Sequence, residues 1–344
     1  MNHRKRNSSV VALMVFVILM HAYGYADEGK YLYSESDNQF TVDEHSKNIV
    51  KAINIDSLMS DVEWLADDAR LGRASGTPSE KEVGNWLMER YSLLKLKPFR
   101  KLKLSDYAHE FEYHTYDDAG IERPGFGENI VGVIEGKDKD GGYVIISSHY
   151  DHLGVENGYI FNGADDDASG VAAMLEVARV ILKLGVQPKK SIVLVAFTAE
   201  EIGRHGSWNL CHAIYESKLA PKMIGLNLEM LGPAKHSRPY VNIWGQGQHP
   251  TQPIINAVRL ASLEANVDMI ISPSLDPGSD ALELLECGVL ATSIDMSGGD
   301  QFESHHPYYH TPDDKPEHID QHAYLKAVQV AAMATWLLAN NVTQ

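Results

Sequence analysis

Residues Ser147 to Gly170 read SSHYDHLGVENGYIFNGADDDASG, and the fold is decided on this stretch. It follows the apolar run Tyr143-Val144-Ile145-Ile146, which has the composition of a strand buried on both faces of a parallel sheet. It ends where a helix should start, with Ser169 or Asp167 as N-cap. His149 and Asp151 therefore lie where the chain leaves a strand's carboxyl end, the place at which open α/β sheets put their chemistry. Several aspartates crowded behind them repel one another unless water or a shared cation relieves the charge. The remaining sequence favours the cation.

Working outward, two further apolar runs repeat the pattern. Ile192–Phe197 (IVLVAF) ends in Thr198-Ala199-Glu200-Glu201, and Met223–Leu228 (MIGLNL) ends in Glu229. Helical periodicity separates them, so three strands deliver acidic or imidazole groups from their carboxyl ends. This is the pattern of a three-layer α/β/α sandwich with a mixed, mostly parallel central sheet. Before the first strand, Leu58, Val62, Leu65 and Leu71 mark one helix and residues 80–94 a second. Residues 107–114 and 129–135 alternate as edge strands. After the third strand come a strand at 240–244, helices at 252–266 and 280–287, a strand at 289–294 and a final helix at 321–339. The loop SGGDQFESHHPYYHTPDD before that last helix is long enough to imply a function.

Composition narrows the function. The chain has 344 residues, 44% of them hydrophobic, enough for a sizeable core. Its formal charge of −17, carried despite a basic cluster in the first six residues, argues against a nucleic-acid partner. Those basic residues precede an apolar run from Val10 to Met20 and the small-residue stretch ending at Ala26, the three parts of a secretory signal peptide over residues 1–26. The run is shorter than the roughly 20 residues a membrane span needs. The expectation is an exported protein, periplasmic or secreted, with no membrane segment after cleavage. Residues 27–50 read as a flexible extension and 51–344 as one domain. Cys211 and Cys287, far apart in sequence and each in a helix-like segment, could pair but read more readily as two buried free thiols.

His149, one of Asp165, Asp166 or Asp167, Glu200 or Glu201, Glu229 and a histidine between 305 and 310 together supply the nitrogen and carboxylate donors that two hard or borderline divalent metals such as zinc accept. Each alone has a plainer reading, as a polar cap, a solvated turn or a surface helix start. Their placement at three strand ends and one functional loop outweighs it. The Asp-rich turn lacks the spacing of a calcium-binding EF-hand loop. His109-Glu110-Phe111-Glu112-Tyr113-His114 is close to the HExxH zinc motif, but its second histidine is one position late and the segment alternates as a strand, which puts the two rings on opposite faces. There is no GxSxG elbow and no phosphate-binding Walker loop.

With these residues in place the chain resembles the co-catalytic zinc exopeptidases, which include bacterial leucyl aminopeptidase, aminopeptidase Y, glutamate carboxypeptidase and the glutaminyl cyclases. The likeness runs from Leu71-Gly72-Arg73 to the final helix and rests on SSHYDHLG, GADDDASG, TAEEIGRHGS, LNLEMLG and YHTPDD in the family's order. It implies a phosphorylase/hydrolase-like sandwich with two zinc ions per chain, His149 and Glu229 on one, Glu201 and His310 on the other, and Asp166 bridging. It also implies Asp151 orienting His149, Glu200 as general base toward a zinc-bound water, and Tyr309 as a donor to the developing oxyanion. The substrate would be a peptide with a free N-terminus. The chain departs from the family pattern at Glu229, where aspartate is common, and at Ala281, where the family's Ser-Asp-His has histidine. The rival readings are a single-zinc glutaminyl cyclase, a carboxypeptidase of the same family, which would need a cationic pocket where the motifs offer only Arg204 and Arg238 nearby, and a non-catalytic binding ectodomain. Against the last, every ligand position is filled.

Overall fold

The sheet is assembled from the apolar runs identified above, flanked by shorter strands. A computed structural model describes residues 40–116, 120, 122–234, 240–245, 251–272, 278–296 and 306–341. Its strands are β1 (Lys97–Pro98), β2 (Ala108–Tyr116), β3 (Glu122–Ile134), β4 (Tyr143–His149), β5 (Gly154–Glu156), β6 (Tyr159–Phe161), β7 (Ser191–Phe197), β8 (Met223–Leu228), β9 (Tyr240–Trp244), β10 (Asp268–Ser272) and β11 (Leu290–Asp295). The α-helices are α1 (Glu44–Ala52), α2 (Ile55–Leu65), α3 (Pro78–Leu93), α4 (Gly170–Lys183), α5 (His205–Glu216), α6 (Gln252–Ala265), α7 (Asp280–Glu286) and α8 (Gln321–Asn340). Nine strands form one sheet in the order β1-β3-β7-β4-β8-β11-β9-β10, with β2 paired to β3; β5 and β6 form a separate hairpin. The central β7, β4, β8 and β11 run parallel, while β3 and β9 join them antiparallel.

Each central strand is buried on both faces, which is why its sequence is apolar without alternation. Val144 and Ile146 of β4 face a core shared with α1, α2, α3, α4, α6 and α8. Ile145, one residue between them, faces a second core shared with α5 and α7. This is the expected α/β/α sandwich. Each such side chain contributes roughly 1.5–3 kcal/mol relative to exposure.

Several boundaries differ from expectation. The packed chain reaches at least eleven residues before 51: Phe40 is buried, and α1 occupies part of what the sequence suggested was a flexible extension. Asp43 caps α1 by accepting from the Ser46 amide at 2.8 Å, and Ile49 is fully buried in the larger core. Leu71 does not continue α2. It sits in a 3₁₀ segment at φ 47 and is half exposed. The edge strand β10 was not expected; it pairs parallel with β9. His109 and His114 do fall on opposite faces of β2, with His109 half-buried and His114 exposed. Cys211 and Cys287 are not free thiols: they form a disulfide joining α5 to the end of α7, with Cα atoms 5.7 Å apart. The helices that carry them pack side by side on the second face of the sheet, a proximity that 76 residues of separation conceal. Residues 1–26, most of the 27–50 extension, Arg238 and the first part of the 297–314 loop lie outside the described residues.

Candidate metal centre

The site is set by where the chain turns back in the sheet. From β4 the chain adds β7 on one side and then β8 on the other, so the three carboxyl ends are neighbours around a topological switch point. His149 is the last residue of β4 and lies beside Phe197 in register; Glu229 follows β8 directly. Ala199, at φ 57, swings the chain off β7 so that Glu200 and Glu201 follow in a tight turn. Asp151 ties that turn to β4, accepting from the amides of Glu200 (3.2 Å) and Glu201 (3.3 Å) and from the Ser75 hydroxyl (2.6 Å). Its carboxylate lies 3.6 Å from His149 Nδ1, and its main-chain carbonyl lies closer, at 3.1 Å. Burial disfavours ionisation of Asp151, but His149, Ser75 and the Glu200 amide outweigh it and hold its pKa below the ordinary value.

The acidic loop at 163–167 brings its carboxylates inward and is gripped through its main chain from two sides. Arg73 is fully buried and spends all five N–H groups on carbonyls: Nε on Tyr150 (2.9 Å), Nη1 on Leu65 (3.3 Å) and Asn162, and Nη2 on Gly163 (2.6 Å) and Asp166 (3.3 Å). From the other side Asp314 accepts from the amides of Asp165 (2.9 Å) and Asp166 (3.1 Å). Gly163 turns the loop at φ 59, where a Cβ would stand 2.3 Å from the Asp166 carbonyl. The Asp166–Asp167 peptide is cis. Asp167 is consumed internally. It accepts from the Ser148 hydroxyl (2.5 Å), from the amides of Gly170 (3.1 Å) and Met230 (3.0 Å), and more distantly from that of His149 (3.3 Å). Although it lies near His149 and Glu229, it has little capacity left for a cation. Ser169 makes no side-chain cap at the start of α4; its hydroxyl bonds back to the Asp165 carbonyl at 2.8 Å.

Asp166 faces two different groups of donors. Its Oδ1 lies 3.1 Å from His149 Nε2, which is itself 3.2 Å from Glu229 Oε1. Its Oδ2 lies 3.2 Å from His310 Nε2, which is 3.2 Å from Glu201 Oε2. Four donors about 2.0–2.1 Å from a zinc ion stand about 3.3 Å apart, so these spacings fit an ion at the centre of each group. Asp166 Oδ2 and Glu201 Oε1 are also buried without a hydrogen bond, atoms that an ion would satisfy. The longer arm of Glu229 is held by the Asn227 amide, which donates to Oε2 at 2.8 Å. Ala281 takes no part, because its side chain belongs to the apolar core of the second face.

The charges carry the same message. Burial raises the pKa of Glu200 to about 10; Asp280, Glu229 and Asp151 add to the rise, and His149 opposes it. Burial works against a charged His310, but Asp166 and Glu201 overcome it and push that ring up to about 10. Tyr309 stacks on His310 with ring centroids 3.8 Å apart, and burial together with Asp166, Glu201, Glu200 and Glu229 keeps its phenol protonated. A site this rich in carboxylates attracts positive charge, whether protons or cations.

All eight residues proposed from the sequence thus lie together around the carboxyl ends of β4, β7 and β8. The sequence reading missed Arg73, Asp314 and His152. Asp314 stands in the quoted YHTPDD segment, and His152 three residues after His149, so both were in view. Arg73 acts on main-chain carbonyls, for which sequence carries no signal.

The model of peptidase family M28 matches residues 129–335, which include every one of these strand ends. The chain belongs to peptidase family M28. Aminopeptidase YwaD of Bacillus subtilis (strain 168) is 31% identical over 215 residues, covering 61% of this chain and 44% of that protein. The chain therefore spans less than half the length of that curated relative. Among solved structures, the Legionella pneumophila LapA aminopeptidase superposes with a TM-score of 0.70 at 19% identity, over 94% of this chain and 82% of that one. BSAP, a zinc aminopeptidase from Bacillus subtilis, gives 0.69 at 17% identity over 85% and 97%. At such identities the likeness of these M28 structures concerns the fold.

Proposed function

We propose that this protein is an exported M28 aminopeptidase that binds two zinc ions and hydrolyses the first peptide bond of substrates with a free N-terminus. The observation that carries the reading is Asp166, whose two oxygens face separate donor groups, His149 with Glu229 and His310 with Glu201. A carboxylate shared in this way suits a co-catalytic pair of ions.

When bound, the ions supply Lewis acidity at neutral pH and offset the repulsion among the carboxylates. The chain supplies the rest. Glu200, on the turn fixed by Asp151, takes a proton from the attacking water and passes it to the leaving amine. Asp151 also fixes His149, whose Nδ1 faces its carbonyl, so that Nε2 points at the cleft. Tyr309, protonated at the mouth, donates to the oxygen on which charge develops. The surplus of carboxylates attracts the α-ammonium of a free N-terminus. A carboxypeptidase would need a free cation for the substrate's carboxylate; of the two arginines near the motifs, Arg204 is engaged with Glu283 at 3.1 Å and Arg238 lies outside the described residues. Export is supported by the signal-like N-terminus and by the Cys211–Cys287 disulfide, since such bonds persist in oxidising compartments.

Metal analysis of the purified protein, combined with an assay on free and N-acetylated peptides, tests the proposal. About two zincs per chain are expected, with release of single residues from free N-termini and none from acetylated peptides. Full activity with one zinc would favour the cyclase reading. Trimming of blocked peptides from the C-terminus would overturn the aminopeptidase reading.

A further inference from the structure

His152 lies outside the ligand set above. It is buried, and both its ring nitrogens lack a hydrogen bond. Two carboxylate oxygens share that condition beside it: Glu201 Oε1, 2.7 Å from His152 Nδ1, and Asp166 Oδ2, 3.7 Å from it. A ring serving only to steady Glu201 would aim an N–H along the line to Oε1, and this one does not. His152, Asp166 and Glu201 each offer a donor atom within 4.8 Å of the other two, and three buried polar atoms with no hydrogen bond in such a group would be costly if nothing lay between them. One cation satisfies all three. The His310 ring meets the His152 ring edge-on with centroids 5.9 Å apart, and its Nε2 approaches the same Asp166 oxygen.

Building on the two-zinc reading, we infer that His152 is a protein ligand of the second cation site, together with Asp166, Glu201 and His310. The two sites are then unequal. The group of Asp166, Glu201, His310 and His152 offers four protein donors, the number that closes a tetrahedral zinc site. The group of His149, Asp166 and Glu229 offers three and leaves a position for water or substrate. Chelation should empty the three-donor site first.

Zinc-edge X-ray absorption on the fully loaded wild-type protein tests this without reference to activity. Three rings over two ions give about 1.5 imidazole nitrogens per zinc, whereas two rings give about 1.0. His152→Phe keeps a ring against Gly163 but removes the nitrogens. Competition with a chelator should show one of its two zincs weakened by more than about 100-fold, beyond the 10- to 100-fold cost of losing an outer partner. About 1.0 imidazole per zinc, or His152→Phe binding both ions within about 100-fold of wild type, would overturn the assignment. If the variant does not fold, the wild-type imidazole count decides alone. A wild-type protein that binds no zinc would refute the proposed function and this inference with it; two zincs with one imidazole each would refute only the role of His152.

Discussion

Replacing Glu200 with glutamine should make the metal-free protein more stable while disabling it. Without cations the Glu200 carboxyl has its pKa raised from 4.5 to about 10, first by burial and then by Asp280, Glu229 and Asp151. In the unfolded chain the same group ionises near 4.5. The folded state therefore keeps a proton that the unfolded state gives up, and stability falls as pH rises from 4.5 toward 10. At pH 7 the interval crossed is about 2.5 pH units, which at 1.36 kcal/mol each is on the order of 3 kcal/mol. Glutamine has the shape of the neutral acid and no proton to retain, so Glu200→Gln escapes this penalty. Denaturant melts of chelator-treated protein should show no gap between variant and wild type near pH 4.5, and a gap of about 3 kcal/mol in favour of the variant at pH 7. With zinc restored, the variant should bind the metal normally and lose about 10²- to 10⁴-fold in kcat, the usual worth of a general base. A stability gap that does not change with pH would refute the electrostatic argument. An unchanged kcat would remove Glu200 from the chemistry.

Glu201→Gln should instead lower bound zinc and recover part of its activity when excess zinc is supplied, because an amide is a poor zinc ligand; normal metal content by elemental analysis would contradict this. Asp314→Asn replaces one of the two oxygens that accept from the Asp165 and Asp166 amides, and equilibrium metal titration should show affinity weakened by about 10- to 100-fold with the fold retained by circular dichroism. Cys211→Ser opens a crosslink spanning 76 residues and should cost on the order of 4 kcal/mol in denaturant melts, with reductant giving the same loss in the wild type and none in the variant.

The parts of the fold that sequence revealed are those where burial on both faces leaves no room for polar residues. The runs before His149, Glu200 and Glu229 were each legible as parallel strands, and once they were placed the strand-end residues had to converge. Helix α1 was missed because its nine residues, EHSKNIVKA, bury little besides Ile49, although Asp43 three positions before Ser46 is a usable capping signal. Leu71 looked like the next residue of a helical stripe, but the chain had already left the helix and turned through left-handed backbone. The pairing of Cys211 with Cys287 depends on α5 and α7 sharing a face of the sheet, a tertiary fact. The position of His152 in HYDH was plain, but its meaning needed the distances to Glu201 and Asp166.

Arg73 gives the acidic loop a positive charge that no chelator can remove. Its five bonds end on carbonyls before and within the Asp-rich turn, so the turn is tied through Arg73 to the main chain of β4's exit and α2 whether or not metal is present. In many small metal-dependent domains the ion is the scaffold, and its withdrawal unravels the chain. Here the scaffold belongs to the polypeptide and the ion is a guest. The emptied protein should keep its cleft, wait out metal scarcity folded, and regain its function as soon as metal returns.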